Sequence, residues 1–213
     1  MAPNVHKKLP PSVLAKIARF TADNRIEDLK NFIRVGPDLK NVALSNEALY
    51  HLCVEYRHDF AWWSGTNSWY YGLFIKLVGA KNSYALYIES IRLAFNVGEI
   101  DVALYLLDDV KDIHPHAKLM FIMLCFCAGR ECLKVYLMFQ AHFKFAEVEW
   151  MGKELMYHID AVNSRKADTY RKTWKLDYCP ECWDMHAWLG ENNGERCNDC
   201  VYFYLSRDIC RML

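Results

Sequence analysis

The segment from residue 82 to residue 143 constrains the fold more than any other part of this 213-residue chain. Apolar residues recur there at steps of three and four, which is the spacing of one helix face. The predicted helices end at Gly98, at Gly129 and before Pro115, since glycine favours helix ends and proline disfavours helical geometry in the residue before it. Residues 82–98 and 114–129 therefore resemble two copies of one unit, each followed by a second helix.

The spacing between equivalent helices, roughly 30 to 35 residues, is typical of tetratricopeptide repeats, in which each helical hairpin buries its apolar face against a neighbour. Two copies without a sharp consensus fit an ordinary bundle of antiparallel helices equally well. Either arrangement is a scaffold without a polar constellation for chemistry. We predict a mainly α fold, with antiparallel, tetratricopeptide-like hairpins over residues 53–163.

The composition excludes several classes of protein. Hydrophobic residues make up 53% and aromatic residues 15%, which is enough for a dry core and argues against disorder. Lys plus Arg (26) equals Asp plus Glu (26), so no global field attracts nucleic acid or an anionic membrane. The longest apolar run, residues 119–128, is much shorter than the roughly 20 residues that cross a bilayer. With no apolar signal core at the amino terminus, we expect the cytosol or nucleus.

The amino-terminal residues predict a series of short helices. Two prolines open the helix of residues 9–20, where a missing amide hydrogen costs nothing. A second helix starts near residue 26 and stops at Val35-Gly36-Pro37. A short helix at residues 39–42 and a longer one at 45–56 follow, the latter with Leu49, Leu52 and Tyr56 on its buried stripe.

An aromatic segment, residues 59–71, joins these helices to the central ones, with a helix predicted over residues 69–78. Trp62, Trp63 and Trp69 are natural anchors for a peptide partner if they are exposed. Burial in the core is the commoner fate of large aromatic residues, and we expect it here.

The second half of the helical region continues the same pattern. Leu133, Tyr136 and Leu137 predict the buried face of a fourth central helix, and residues 146–162 predict a further amphipathic helix. Cys125, Cys127 and Cys132 are not spaced as a ligand set, so we expect small core residues. His114 and His116 flank a proline in a predicted turn, where a pair of metal ligands is conceivable, although a solvated loop is the commoner arrangement.

The sharpest local signal is a pair of Cys-x-x-Cys knuckles near the carboxyl end: Cys179 with Cys182, and Cys197 with Cys200. Four thiolates at this spacing close a tetrahedral zinc shell, and such a site is structural. Nine cysteines without a secretory signal also fit thiols or metal ligands better than disulfides. We therefore predict structural Zn²⁺ in a small zinc-ribbon-like tail, residues 176–213, after a basic linker at residues 164–175.

Other interpretations of the tail are weaker. His186 lies between the knuckles and could replace one cysteine ligand, although a packed or solvated histidine is more common. A DNA-reading finger has comparable knuckles, but residues 171–213 hold six Lys plus Arg against seven Asp plus Glu. A RING domain needs eight ligands for two metal ions, and only four are arranged here.

The amino-terminal residues 8–52 resemble an F-box, which docks a substrate receptor onto the linker subunit of a cullin-based (SCF-type) ubiquitin ligase. The matching residues are Leu9, Pro10, Leu14, Ile17, Leu29 and Val35. The resemblance implies that these residues form the F-box core or bind the linker subunit. The tryptophan usual near the end of the motif is missing. With helical hairpins and a cysteine-rich tail behind it, nearly the whole chain is similar to a large family of plant F-box proteins.

This resemblance implies a non-catalytic adaptor in ubiquitin-dependent protein turnover, whose partners are the linker subunit and a protein target held on the helical repeats. Neither nucleic acid nor a membrane is an expected partner. The alternative is a helical-repeat interaction scaffold with a structural zinc tail and no ligase link, in which Leu9, Leu14 and Ile17 would be buried in the chain's own core. An enzyme is the third hypothesis, but we find no Gly-rich phosphate loop, His-Glu zinc motif or nucleophile elbow.

Overall fold

The computed structural model describes residues 26–165 and 197–213, together with residues 10, 13–14, 16–17 and 20. The described residues form helices and the turns between them, and no strand occurs among them. They fall into two compact units, of which the first ends at Ala85 and the second begins at Leu86. The prediction of a mainly α fold is confirmed.

The first unit consists of short helices. They are α1 (Ile26–Val35), α2 (Pro37–Ala43), α3 (Asn46–Tyr50), a 3₁₀ helix (Phe60–Ser64) and α4 (Tyr71–Gly79). Pro37 opens α2 at the position where its missing amide hydrogen costs nothing. Ser45 caps α3, and its Oγ accepts a hydrogen bond from the Ala48 amide at 3.4 Å. Pairwise contacts join α1 to α2, α2 to α3, and α4 to both α3 and the 3₁₀ helix.

Helix α3 ends earlier than the sequence predicts, because of a side chain more than 30 residues away. The Nδ2 group of Asn82 donates to the carbonyl oxygens of Leu49 (2.9 Å), Tyr50 (3.3 Å) and Leu52 (2.8 Å). These carbonyls would otherwise accept amides of a continuing helix, so the chain turns after Tyr50. The predicted helix over residues 45–56 is therefore wrong in its second half, and Tyr56 is 80% exposed.

The second unit contains the longer helices. They are α5 (Ser83–Arg92, which starts within the first unit), a π-helical turn (Leu93–Val97), α6 (Ile100–Val110), α7 (Pro115–Cys127), α8 (Cys132–His142), α9 (Phe145–Ala161) and α10 (Asn198–Met212). Gly98 ends the π-helical turn with φ of +92°, a left-handed conformation that favours glycine. Its amide donates to the carbonyl of Leu93 at 2.8 Å, which closes the turn before α6.

Helix α7 lies at the centre of the second unit and touches α6, α8, α9 and α10. Ion pairs join Arg130, beyond the end of α7, to Asp101 at the start of α6, and Lys118 to Asp112 at the opposite ends. Helices α6 and α7 are therefore antiparallel. Most of α7 is buried, as its nearly all-apolar sequence predicts: Ala117, Leu119, Met120, Ile122, Met123, Leu124, Cys125, Phe126 and Cys127.

The predicted buried face of α8 is wrong. Leu133 and Leu137 are 73% and 55% exposed, whereas Val135 and Phe139 are buried. Phe139 packs against Tyr202 of α10, with ring centroids 4.8 Å apart. The orientation of α8 thus depends on packing against α10, which the sequence of α8 alone does not specify.

Helix α10 departs from the expected zinc-ribbon hairpin in the part of the tail that the structure describes. Residues 198–212 form one helix that contacts α7 and α9. Its buried residues belong to the core of the second unit: Cys200, Val201, Tyr202, Phe203, Leu205, Ser206, Ile209, Cys210 and Met212. The second knuckle is therefore attached to the helical body itself. Most of the predicted linker and the first half of the tail lie outside the described residues.

Candidate functional site

The described residues near the amino terminus expose apolar side chains. The carbonyl of Pro10 accepts hydrogen bonds from the amides of Val13 (2.9 Å) and Leu14 (3.1 Å), which is the start of a helix. Val13, Ile17 and Phe20 follow at steps of four and three and are 39%, 38% and 69% exposed. We call these three residues the amino-terminal strip. Their spacing places them on one face of the helix.

The remaining residues of the predicted linker-binding set are placed only in part. Val35, at the end of α1, is 73% exposed, and Leu14 is partly exposed. Leu9 and the side chain of Leu29 lie outside the described residues. The structure thus shows Pro10, Leu14, Ile17 and Val35 at or near the surface, and none of these four belongs to the buried core.

The aromatic segment divides into core and surface. Trp63 is 3% exposed and stacks on Tyr70 with ring centroids 4.5 Å apart. Asp59 accepts two hydrogen bonds from Arg57 and one from Trp63 Nε1 at 3.3 Å, and the bonds from Arg57 are the main cause that holds the pKa of Asp59 below its usual value. Trp62 and Trp69 are 56% and 99% exposed, so the expected burial holds for only one of the three tryptophans.

The second cysteine knuckle lies at the start of α10. Cys197 occupies the N-cap position and Cys200 the first turn, where Cys200 is buried. Side chains at the N-cap and three residues later approach each other, and a helix N-terminus stabilises thiolate. These two cysteines therefore fit one half of a zinc site. Cys179, Cys182 and His186 lie outside the described residues.

Hydrogen bonds from α8 hold the first turn of α10 in place. The hydroxyl of Tyr136 donates to Asp199 Oδ1, and Gln140 Nε2 donates to the Tyr136 oxygen at 2.7 Å. Burial, followed by the Asp199 carboxylate, raises the pKa of Tyr136 far above its usual value, so it remains a neutral donor. Asp199, which lies between Cys197 and Cys200 in the sequence, thereby attaches the first turn of α10 to α8.

The thiols of α7 have a structural character. Cys125 and Cys127 are buried, and the Cys127 thiol donates to the Ser206 carbonyl of α10 at 3.6 Å. Burial raises the pKa of Cys125 to about 11. Cys132 differs, since it is exposed at the first position of α8. The expectation of core cysteines therefore holds for Cys125 and Cys127 and fails for Cys132.

Sequence reasoning missed a cluster of histidine and aromatic side chains in the second unit. The hydroxyl oxygen of Tyr87 lies 3.0 Å from Nδ1 of His158. His116 Nε2 lies 2.7 Å from Glu154 Oε2, and its ring meets the edge of Trp150 at a centroid distance of 5.4 Å. His116 is therefore not in a solvated loop. The members come from α5, α7 and α9, so no local motif signals the cluster.

The cluster extends from the buried core of the second unit to its surface. Tyr87 and His158 are buried, and His116 is half-buried. Trp150 and Tyr157 on the outer side of α9 are 58% and 44% exposed. Such a gradient suits recognition, because the exposed rings are supported from below by fixed neighbours.

Among the described residues, no group of three or more His, Cys, Asp or Glu side chains is positioned to bind a metal ion. None of the described helices is both long and apolar enough to span a membrane. Comparison with protein-family models, curated proteins and solved structures finds no match for this chain.

Proposed function

We propose that this chain is a non-catalytic substrate receptor of a cullin-based, SCF-type ubiquitin ligase. The amino-terminal strip docks onto the linker subunit of the ligase, and the helical hairpins of the second unit hold a protein target. Holding the target raises the effective concentration of its lysines near the transferring enzyme. The protein acts in the cytosol or nucleus, and no residue of the chain needs to do chemistry.

The observation that carries this proposal is the apolar face formed by Val13, Ile17 and Phe20. Single exposed apolar side chains are common on protein surfaces, and Val102 is also exposed. The support therefore comes from three exposed apolar side chains that lie on one face of one helix, in the segment that resembles a docking motif.

Two features support the remaining parts of the proposal. Helix α7 is buried among four other helices, which gives the second unit a rigid centre for presenting a surface. Cys197 and Cys200 lie at the start of α10, where zinc bound with Cys179 and Cys182 would fix the carboxyl-terminal helix. In this proposal the role of the zinc ion is structural and not catalytic, because four thiolates leave no open coordination position.

The test is a pull-down of the full chain by the purified ligase linker subunit. Ile17→Asp places a charge in the amino-terminal strip, and we expect it to weaken binding by roughly tenfold or more. Val102→Asp is the matched control, because Val102 is 46% exposed and lies in the second unit. Circular dichroism should show equal helicity for all three proteins.

Failure of the well-folded intact chain to bind would overturn the ligase link. Equal binding by the Ile17→Asp variant would overturn the role of the amino-terminal strip. In the first case, a helical interaction scaffold with a structural zinc tail would be the remaining account of the chain.

A further inference from the structure

The outer side of α9 carries two aromatic side chains on one face. Trp150 and Tyr157 are seven residues apart, about two helical turns, and Lys153 and Glu154 lie between them. Trp150 and Tyr157 are exposed, while Met151, Leu155 and Ile159 on the other side are buried. We call Trp150, Glu154 and Tyr157 the α9 aromatic face. Tryptophan and tyrosine contribute more binding energy at interfaces than most residues.

The α9 aromatic face is held in place by its neighbours. The His116 ring of α7 meets the Trp150 ring at an interplanar angle of 68°, and the same histidine pairs with Glu154 at 2.7 Å. The Tyr157 ring lies beside His158, with centroids 5.8 Å apart. Rings that are already positioned lose little side-chain entropy when a partner binds.

The charges around this face favour a cationic partner. Helix α9 carries four carboxylates, Glu147, Glu149, Glu154 and Asp160, and one lysine, Lys153. Lys153 Nζ is bound to Glu149 Oε1 at 3.2 Å. On α7, Lys118 is paired with Asp112 at 3.0 Å, and His116 with Glu154. An anionic partner would meet these carboxylates, whereas a cation would be attracted both to them and to the faces of the rings.

We propose that the α9 aromatic face binds an arginine-bearing segment of a partner protein. The guanidinium group stacks on the Trp150 ring and pairs with the Glu154 carboxylate, and the next apolar side chain of the segment covers Tyr157. Arginine suits this site better than lysine, because its planar group stacks on aromatic rings and pairs with carboxylates in two-point geometry. This inference rests on the part of the proposed function in which the second unit holds the target, and it names the recognised side chain.

The test uses nuclear magnetic resonance of the isotopically labelled full chain and two pools of blocked heptapeptides. The central position holds arginine in one pool and its uncharged isostere citrulline in the other, and the six flanking positions are random among residues other than arginine and lysine. We expect the arginine pool to shift the indole signal of Trp150 at concentrations about tenfold lower than the citrulline pool. The binding should disappear in Trp150→Ala and weaken severalfold in Glu154→Gln. Trp69→Ala, which removes a 99% exposed tryptophan of the first unit, should leave it unchanged.

Several results would overturn the inference. Equal shifts with both pools, no shift with either, or arginine binding that persists in a folded Trp150→Ala variant would each do so. Sedimentation analysis adds a further check, since a dimer that Trp150→Ala dissociates would show that a second copy of the chain occupies the face and would also overturn the inference. No linker subunit is present in these measurements. Their failure together with a positive linker pull-down would therefore reject the arginine site and leave the docking proposal standing.

Discussion

The hydroxyl oxygen of Tyr87 lies 3.0 Å from Nδ1 of His158, and this contact joins α5 to α9 inside the second unit. The Tyr87 side chain is buried completely, and His158 is 8% exposed. The two rings meet edge to face with centroids 5.7 Å apart. Burial lowers the pKa of His158 to about 4, and the nearby His116 adds to the effect. The interior of the second unit therefore contains a neutral histidine.

This depressed pKa predicts a loss of stability in mild acid. Unfolded His158 would take up a proton below its ordinary pKa of 6.5, whereas the folded form resists protonation until about pH 4. The free energy of unfolding should fall as pH decreases from about 6.5 to about 4, and His158 should account for roughly 3 kcal/mol of that fall. Above pH 6.5, His158 should contribute no pH dependence. Urea unfolding at a series of pH values measures the slope.

The matched variants are His158→Gln and His142→Gln. His142 is exposed at the end of α8, outside the cluster, and its variant is the reference with which the slope of the His158→Gln variant is compared. The His158→Gln variant should be less stable at neutral pH and should lose most of the slope between pH 4 and 6.5. A slope that survives in this variant would assign the pH dependence to other groups.

The Asn82 side chain predicts a large effect on stability from one amide group. It is 3% exposed, donates to three main-chain carbonyls, and accepts the Ala85 amide at 3.1 Å to cap α5. Asn82→Ala should lower the free energy of unfolding by about 3 kcal/mol, since buried carbonyls lose their donor. Asn96 is the control, because its Nδ2 bonds to Val162 (3.1 Å) and Asn163 (2.8 Å) are only partly buried.

We expect Asn96→Ala to cost about 1 kcal/mol, because water can replace the lost donor. Urea unfolding of both variants decides the matter. Equal costs would mean that water also reaches the carbonyls of Leu49 and Leu52 once Asn82 is removed, and that burial does not set the difference.

The sequence predicts those helices whose ends are set by nearby residues. Pro115 at the first turn of α7 and the left-handed Gly98 after the π-helical turn are local signals, and both boundaries lie close to the predicted positions. The end of α3 was predicted wrongly, because the residue that replaces its hydrogen bonds, Asn82, follows about 30 positions later. No window of local sequence contains that information.

Helix α10 was missed for a different reason. Val201, Leu205 and Ile209 follow the spacing of a helix face, and that signal was present in the sequence. The two Cys-x-x-Cys pairs directed the interpretation toward a hairpin instead. The cluster of Tyr87, His116 and His158 could not be found in this way, because its members come from three helices and meet only through packing.

Exposure and burial predict different reactivity for two cysteines that are seven residues apart. Cys132 is exposed, whereas Cys125 is buried with its pKa raised from 9.0 to about 11, which alone lowers its thiolate fraction about a hundredfold. In Cys132→Ser, the reaction of the native protein with a disulfide reagent at pH 8 should lose one rapidly reacting thiol. Cys125→Ser should leave the rapid phase unchanged. A rapid phase that falls only in Cys125→Ser would contradict the packing of α7.

The proposed zinc site predicts a link between metal binding and the stability of the helical body. Cys200 lies in the first turn of α10, and the buried residues of that helix contact α7 and α9. The purified chain should contain about one zinc ion, and Cys197→Ser or Cys200→Ser should remove most of it. Cys132→Ser, on the exposed start of α8, is the control and should keep the metal.

Because α10 is a core helix, a chelator should lower the urea midpoint of the intact chain and have a much smaller effect on the zinc-free variants. A fully helical chain that contains no zinc after purification with zinc present would instead mean that packing alone holds α10, with Cys200 serving as a small core residue.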